Sequence, residues 1–241
     1  MFETDEAVLA RVDSGDRHVK SWSTDPMAGE TTPHSIFFLY MRLNGNGTFE
    51  ARQYYHKGNE TDVIGPTAVY DAENKTLGYY IREMAINARK EKKGFPLYGN
   101  GATEIEFPSR YSYCVFFMDD LHWRFMTVAE PGGQIPVIVF NKSKNGETFK
   151  VHSHAFRTLP LVEMDMPNQW TTVGFDKRQA VVMVNRMRDE NGRRLGNGQT
   201  EKFCFDFPMR VRYGSGSDGL TLIIDPTGTN LGPPVGPPDV P

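Results

Sequence analysis

The sequence predicts a mainly β protein: an antiparallel β-sandwich or jelly-roll-like domain with one amphipathic helix and an extended Pro/Gly-rich C-terminal tail. Bulky apolar residues occupy every odd position from Phe203 to Tyr213, which is the period of a strand. About nine or ten strand-like runs follow one another at spacings of roughly 8–12 residues, with turn residues between them. Aromatic residues, which favour strands, make up 12% of the chain.

The length and charge of the chain limit the classes of protein it can belong to. A chain of 241 residues fits one all-β domain and buries roughly 70% of its unfolded surface, so its core needs no disulfide or metal. We expect one domain over residues 1–225 and a tail over 226–241. The net charge of −3 gives no overall positive field for nucleic acid or an anionic membrane. Without a membrane-length apolar run or a basic leader, a cytoplasmic location is predicted.

The first predicted strands follow a mixed amino-terminal segment. Residues 1–34 are expected to be irregular apart from a short helix from Glu6 to Val12. The apolar run Ile36–Leu43 predicts a strand buried on both faces, because it is too short for a typical helix. Asn44–Gly47 reads Asn-Gly-Asn-Gly, a hairpin signal, and Thr48–Tyr55 is the predicted return strand.

One helix is predicted over residues 73–93. Apolar side chains recur at helical spacing and give this segment one apolar face. They are Leu77, Tyr80, Ile81, Met84 and Ala88. Cations crowd the end of the segment, where they complement the helix dipole, and Gly94 followed by Pro96 ends the helix. We expect the helix to cover a face or an edge of a sheet.

The second half of the chain predicts further strands. These are Ser112–Met118, His122–Val128, Ile135–Phe140, Thr148–Phe156 and Ala180–Val184. A final hairpin joins Phe203–Tyr213 to Leu220–Ile224 across the glycine-rich turn Gly214–Gly219. The alternation in its first strand predicts one buried face and one solvated face.

The predicted tail begins at Pro226, which is expected to end the hairpin. Six of the sixteen residues from Pro226 to Pro241 are prolines, a composition that argues against helix and sheet and favours polyproline II or irregular extension. An extended segment of this kind can lie against a neighbouring subunit. The candidate partner-binding residues are Pro233, Pro234, Pro237 and Pro238. The expected partner is a protein, through self-association.

Recognisable motifs for nucleophilic catalysis or phosphate binding are missing from the sequence. There is no Gly-x-Ser-x-Gly, and Gly214–Gly219 lacks the Lys-Ser/Thr of a phosphate loop. Cys114 and Cys204 lie in strand-like runs without a His beside them in sequence. We expect both to be buried thiols that form no disulfide.

His152 and His154 are the candidate metal ligands. Two histidines at i and i+2 on a strand point to one face and could bind one divalent ion. Together with Gly146, their spacing resembles the opening half of the cupin motif, which implies a metal-dependent enzyme with a double-stranded β-helix. The chain carries Arg157–Leu159 where that motif has a Glu, and Leu231 where its second half has a His.

Carboxylates that could complete a metal set are Asp119 and Glu163. Asp119, Asp120 and His122 also lie together at a predicted turn, where they could serve acid–base chemistry. The structural alternative is that adjacent Asp residues simply form the turn by bonding to their own backbone. For His152 and His154, the structural alternative is that they lie on the solvated face of an amphipathic strand.

Basic clusters raise nucleic-acid binding as a further hypothesis. The candidate residues are Arg186, Arg188, Arg193 and Arg194. Four tyrosines could stack on bases, as in single-strand binders. They are Tyr54, Tyr55, Tyr79 and Tyr80. Acidic neighbours offset or interrupt the basic clusters, so the structural interpretation of these residues is core packing and a solvated face.

The sequence therefore favours a non-enzymatic β-sandwich protein that acts through its surfaces, as a structural or assembly subunit or a binding module. In this interpretation the C-terminal tail contacts a neighbour and no cofactor is needed. A metal-dependent cupin-like enzyme using His152 and His154 is the first alternative, and it requires a divalent metal. A nucleic-acid-binding protein is the second alternative.

Overall fold

A computed structural model describes most of the chain. The described residues are 5–12, 17–20, 28–43, 49–59, 63–91, 103–107, 111–144, 146–149, 154–166, 177–189, 191–211, 221–224 and 226–231. Within these ranges strands dominate and only two helices occur, so the prediction of a mainly β fold is confirmed. Neither helix in this part of the chain has the length and apolar character needed to cross a membrane.

The elements are numbered in chain order. The helices are α1 (Asp5–Val12) and α2 (Leu77–Lys90). The strands are β1 (Arg17–Lys20), β2 (Ser35–Leu43), β3 (Phe49–Lys57), β4 (Thr103–Phe107), β5 (Ser112–Met118), β6 (Trp123–Phe125), β7 (Thr127–Glu130), β8 (Gly133–Pro136), β9 (Ile138–Asn141), β10 (Ser143–Lys144), β11 (Glu147–Thr148), β12 (Phe156–Thr158), β13 (Val162–Asp165), β14 (Lys177–Asn185), β15 (Thr200–Val211), β16 (Thr221–Ile224) and β17 (Pro226–Leu231).

The first large sheet has six strands in the order β12-β14-β5-β2-β3, and β13 also pairs with β14. The apolar run Ile36–Leu43 lies in β2, between β3 and β5, with Ile36–Met41 buried. This confirms the predicted strand. The return strand β3 extends two residues beyond the predicted Tyr55, and the turn Asn44–Gly47 lies outside the described residues. The β2–β5 pair is parallel.

The second large sheet has seven strands in the order β1-β9-β15-β17-β4, and β6 and β16 also pair with β15. The antiparallel β15–β16 pair, with Phe207 opposite Ile224, confirms the predicted hairpin. The prediction of one solvated face on β15 is wrong, because Phe203–Arg210 is buried throughout. The second face is covered by long-range contacts, among them Asp5 of α1 against Arg210 and Asn141 of β9 against Asp206.

The two large sheets pack face to face through one aromatic core. Phe116 of the six-stranded sheet lies with its ring centroid 4.6 Å from that of Phe207 in the seven-stranded sheet. Phe107 and Phe205 stack at 6.0 Å in the same core. A sandwich closed by large aromatic side chains follows directly from strands whose odd or even positions are phenylalanine.

Helix α2 covers the outer face of the six-stranded sheet. Its buried residues Leu77, Ile81, Ala85 and Ala88 share a second apolar cluster with β2, β5 and β14. The predicted bounds of 73–93 are too wide, since the helix runs from Leu77 to Lys90 and Glu91 is its C-cap. Its start is delayed because turns occupy residues 72–75, as described next.

The start of α2 is fixed by two side chains. The Asp71 carboxylate accepts hydrogen bonds from the backbone N–H groups of Glu73 and Asn74, both at 3.0 Å, and so holds the chain in a turn. Thr76 then caps the helix, with its hydroxyl oxygen accepting from the N–H of Tyr79 at 3.3 Å. The predicted C-cap Gly94 lies outside the described residues.

The segment after Asp225 differs from the sequence prediction. Pro226–Leu231 forms β17, which pairs antiparallel with β15 and parallel with β4, so the prediction that no sheet forms from Pro226 onward is wrong for these six residues. Proline is tolerated here because it is the first residue of the strand, and Thr227–Leu231 retain their N–H donors. Residues 232–241, including the candidate prolines Pro233, Pro234, Pro237 and Pro238, lie outside the described residues.

The amino-terminal segment is more ordered than the sequence predicts. The short helix expected from Glu6 to Val12 is confirmed as α1, and Val8 and Leu9 of that helix pack on Met126 and Val137. β1, within the segment predicted to be irregular, pairs antiparallel with β9. This pairing spans more than a hundred residues of sequence, and therefore no local pattern signals it.

Two truncations should separate the strand β17 from the tail beyond it. Ending the chain after Asp225 removes a strand that lies between β15 and β4, and leaves their backbone groups unpaired. We expect the melting temperature to fall by more than about 10 °C, because each kcal/mol shifts a domain of this size by ~2–4 °C. Ending the chain after Leu231 should leave the melting temperature unchanged. Equal melting temperatures for both truncations, measured by circular dichroism, would show that β17 is not part of the sheet.

Candidate functional site

Asp119, at the end of β5, is the centre of a buried charge cluster. Its Oδ2 accepts hydrogen bonds from the Tyr40 hydroxyl and from Arg89 Nε, both at 2.6 Å. Its Oδ1 accepts from Arg89 Nη2 and, at 2.9 Å, from Arg178 Nε. These bonds join β5 to β2, α2 and β14, so one carboxylate connects four elements.

The electrostatics of this cluster favour a structural role. Burial alone would raise the pKa of Asp119, but hydrogen bonds from Arg89 and Tyr40 and the charges of Arg89 and Arg178 bring this pKa below its usual value. Burial and the adjacent carboxylate raise the pKa of Tyr40. A carboxylate held ionised by two guanidinium groups is a weak base and this tyrosine is a weak acid. Neither is suited to proton transfer near neutral pH.

Asp120 and His122 do not join Asp119 in a catalytic group. Asp120 Oδ1 accepts a hydrogen bond from the backbone N–H of His122 at 2.7 Å, which closes the turn after β5. The side chain of His122 is exposed. The structure therefore supports the turn hypothesis and places the two carboxylates in different environments.

The candidate metal ligands are not brought together in the described part of the chain. His152 lies outside it, and His154 lies in a bend before β12. The prediction of one continuous strand over Thr148–Phe156 is wrong, because β11 ends at Thr148 and β12 begins at Phe156. No group of three or more His, Cys, Asp or Glu side chains with metal-binding geometry occurs among the described residues.

Glu163, the other carboxylate considered for a metal, has a bridging role. Its Oε1 accepts from Gln179 Nε2 at 2.7 Å, and Gln179 Oε1 accepts from the N–H of Phe125 at 3.0 Å. This relay connects β13 through β14 to β6, and β6 belongs to the opposite sheet. It thus contributes to holding the two sheets in register.

Arg186, a candidate nucleic-acid contact, is buried in an ion cluster. The residue is 1% exposed and pairs with the buried Glu30 at 3.5 Å. Arg157 pairs with the same carboxylate at 2.8 Å. Burial lowers the pKa of Arg186, with further lowering from the like charges of Arg157 and Arg188. These ion pairs connect Arg186 to other parts of the chain, and its role as a nucleic-acid contact stays a prediction.

The remaining candidate arginines surround a small turn. Asp189 Oδ1 accepts from the N–H groups of Asn191 and Arg193, at 2.9 and 2.8 Å, and Arg188 Nη1 donates to the carbonyl of Gly192 at 2.8 Å. The Arg194 guanidinium lies 5.9 Å from the centre of the Tyr111 ring. Arg193 and Arg194 are exposed, and Arg188 Nη2 also donates to the carbonyl of Ala28 at 3.5 Å.

Both cysteines match their prediction. Cys114 and Cys204 are buried and form no disulfide. Burial raises the pKa of the Cys114 thiol, which opposes formation of a reactive thiolate. Neither residue offers an accessible nucleophile.

A cleft of about 260 Å³ opens beside the amino-terminal half of α2, and we call it the tyrosine cleft. Its lining residues are Ala68, Val69, Tyr70, Gly78, Arg82, Glu163, Met164 and Asp165. The Arg82 guanidinium lies 4.4 Å from the centre of the Tyr70 ring. Tyr70 is followed by a row of rings: Tyr79 at 5.7 Å, then Tyr80 at 5.3 Å, then His56 at 4.6 Å from Tyr80.

The wall of the cleft is held by close contact between α2 and the chain before it. A Cβ on Gly78 would lie only 2.1 Å from the carbonyl oxygen of Ala68, so only glycine allows this approach. The Gly78 N–H donates to the Thr67 carbonyl at 3.1 Å, and the Thr76 hydroxyl donates to the Val69 carbonyl at 2.6 Å. With the backbone fixed in this way, the side chains of Val69 and Tyr70 are left facing solvent.

Two exposed apolar side chains, Val69 and Tyr70, line the tyrosine cleft. In the described part of the chain, the large hydrophobic residues that are exposed all fall between residues 55 and 70. They are Tyr55 (46%), Val63 (64%), Val69 (70%) and Tyr70 (42%). Surface apolar residues scattered singly are ordinary, whereas Val69 and Tyr70 are adjacent and both line the tyrosine cleft.

Sequence reasoning selected the tyrosines but not their arrangement. Tyr54 packs partly buried under α2, while Tyr55 lies on the opposite face of β3. Only Tyr79 and Tyr80 join the row that leads to the cleft. The signal that could have indicated the cleft is Val69-Tyr70, an apolar pair in a connection with no strand or helix periodicity.

Comparison with known proteins assigns no relative. No family model, no curated protein and no solved structure matches the chain. A functional proposal must therefore come from the geometry of the described residues.

Replacing Asp119 with Ala should lower the free energy of unfolding by about 3–5 kcal/mol. The substitution leaves the guanidinium groups of Arg89 and Arg178 buried without this carboxylate. Asp120→Ala is the matched control and should cost no more than about 1 kcal/mol, because only an exposed turn hydrogen bond is lost. Urea unfolding followed by circular dichroism measures both. A similar loss for the two variants would contradict the assigned cluster.

The contribution of Asp119 to stability should disappear in acid. Folding lowers the pKa of this carboxyl below its unfolded value of about 3.9. Its contribution is therefore fully present above that value and is lost as the pH falls through the folded pKa. The difference in free energy of unfolding between the parent protein and Asp119→Asn should shrink between about pH 5 and pH 2. A difference that stays constant over this interval would show that the carboxylate is not held ionised.

Proposed function

We propose that this protein is a non-enzymatic β-sandwich protein that acts through its surfaces, as an assembly subunit or binding module, with the C-terminal tail contacting a neighbouring copy. The observation that carries the proposal is the exposure of Val69 (70%) and Tyr70 (42%), two apolar side chains that line the tyrosine cleft. Tyrosine is enriched at protein interfaces because it combines a large apolar ring with a hydroxyl that can remain hydrated.

The size of the tyrosine cleft supports contact with a protein segment. At about 260 Å³ it is smaller than the ~300–1,000 Å³ of typical small-molecule pockets. Its mouth is formed in part by Val69 and Tyr70, which are among the exposed side chains. A shallow apolar site with an aromatic wall suits a partner that contributes a short stretch of chain.

The hydrogen bonds that the Asp119 and Glu163 carboxylates already accept favour the same proposal over the metal-dependent alternative. Asp119 is bound by two arginines and a tyrosine, and Glu163 by Gln179. Both oxygens of Asp119 and Oε1 of Glu163 already serve to connect secondary-structure elements. Neither is available to complete a site around His154 without breaking those connections.

Self-association should be visible as a discrete increase in mass with concentration. Light scattering on the full chain over a hundred-fold concentration range should show an assembly larger than the monomer. Val69→Asp introduces a charge at a 70% exposed position, and should weaken association at least about tenfold without changing the melting temperature.

Thr148→Asp is the matched control, since it introduces the same charge at an exposed position in β11. This variant should associate like the parent protein. Two results together would contradict the proposal. The parent protein would stay monomeric over the whole concentration range, and it would keep its monomer mass in the presence of candidate partner proteins.

A further inference from the structure

We propose that the tyrosine cleft is the receptor for the proline-rich segment Pro233–Pro238 of a neighbouring copy, bound as a polyproline II helix. This inference rests on the proposed function, in which the tail contacts a neighbour. It adds the location of the contact and the chemistry by which the tail is recognised.

The spacing of the tail prolines suits an aromatic groove. The tail reads Gly-Pro-Pro-Val-Gly-Pro-Pro from Gly232 to Pro238, and Pro234 and Pro237 are three residues apart. A polyproline II helix has three residues per turn, so these two rings lie on the same edge of the helix. Aromatic grooves bind such segments because the helix is pre-formed and loses little conformational entropy.

The described side chains of the cleft provide both the apolar and the polar contacts that such a segment needs. Tyr70 lines the cleft and is supported by Tyr79, whose ring centroid lies 5.7 Å from its own at an angle of 43°. Val69 and Met164 add aliphatic surface. These groups can pack against proline rings, which have no polar atoms of their own.

Arg82 supplies hydrogen-bond donors to the same place. Its guanidinium is stacked on Tyr70, and its buried Nε has no hydrogen-bond partner among the described residues. The carbonyl groups of a polyproline II helix have no internal partners. The Nε is enclosed by the protein's own atoms, so a bound tail meets the terminal amino groups of the guanidinium, which can donate to its carbonyls.

The charges of the cleft do not oppose this segment. Glu163 accepts a hydrogen bond from Gln179, and Asp165 lies opposite Lys177 in the antiparallel pairing of β13 with β14. Gly232–Pro238 carries no charged side chain. Neither carboxylate therefore repels it, and the first charged residue of the tail, Asp239, lies beyond it.

The position of Leu231 favours a neighbour's cleft over the chain's own. Leu231 pairs with Thr200 of β15, close to Phe203, whose ring lies 5.6 Å from that of Phe156. Phe156 is opposite Asn185 at one end of β14. The cleft residue Asp165 is opposite Lys177 at the other end, eight positions away and so about 26 Å along the strand.

The cleft also lies on the outer face of the six-stranded sheet, which adds about 10 Å for the sheet that must be passed. The ten residues 232–241 span about 31 Å as polyproline II. Most of that length would be used to reach the chain's own cleft, and Pro233–Pro238 would lie on the way and not in it. A neighbouring copy has no such restriction.

A labelled peptide tests the contact directly. The probe is a synthetic peptide of residues 231–241 with fluorescein at its amino terminus, titrated with the protein ending after Leu231 and followed by fluorescence anisotropy. We expect saturable binding that weakens at least about tenfold in Tyr70→Ala and about fivefold in Arg82→Ala. A peptide in which Pro234 and Pro237 are both replaced by Ala should lose binding to a similar extent.

Two variants control for folding and for non-specific binding by exposed tyrosine side chains. Tyr70→Phe keeps the ring and should bind within about twofold of the parent protein. Tyr55→Ala removes a ring that is 46% exposed, against 42% for Tyr70. Tyr55 lies on the face of β3 opposite to Tyr54 and does not line the cleft, so this variant should not change binding. Melting temperatures of all four protein variants verify that they fold.

Binding that is lost in Tyr70→Ala and retained in Tyr55→Ala supports the inference. Absence of saturable peptide binding, or binding that is equal in Tyr70→Ala and the parent protein, overturns it. Light scattering on the full chain and on the chain ending after Leu231 is independent of this assay. If the full chain assembles and the truncated chain does not, the tail contact stands even when the cleft is shown not to be its receptor.

Discussion

The buried carboxylate of Asp119 is the interaction on which the arrangement of the six-stranded sheet and its covering helix depends. It receives Tyr40 from β2, Arg89 from α2 and Arg178 from β14. Through Arg89 it fixes the carboxyl-terminal end of α2 on the sheet. The other half of the same helix carries Gly78 and Arg82, and there the close approach of Gly78 to Ala68 holds the wall of the tyrosine cleft. A buried ion pair is not in itself a large source of stability, but each partner is costly to remove.

Local patterns predicted the elements that local forces determine. The alternation from Phe203 to Met209 predicted β15, and the uninterrupted apolar run Ile36–Leu43 predicted a central strand, because burial imposes those periods on the residues themselves. The same alternation could not indicate that the polar face of β15 is also buried. That burial depends on Asp5 and Asn141, which come from distant parts of the chain.

Composition misled the prediction at the start of the tail for a similar reason. The abundance of proline after Asp225 describes the segment as an average, whereas strand formation depends on which individual positions need an N–H donor. Pro226 occupies a strand end, and Thr227–Leu231 contain no further proline. Local sequence patterns could not predict the tyrosine cleft either. Its lining residues Tyr70 and Met164 lie together only because β13 pairs with β14 beneath α2. The aromatic residues were visible in the sequence, but their grouping was not.

The placement of β17 and the cleft on different sheets has a consequence for any assembly they form. β17 ends in the seven-stranded sheet, while the cleft lies on the outer face of the six-stranded sheet. A tail-to-cleft contact therefore joins two different surfaces and is heterologous. Two copies that exchange tails reciprocally close into a dimer, whereas copies that pass the tail in one direction form a ring or an open filament.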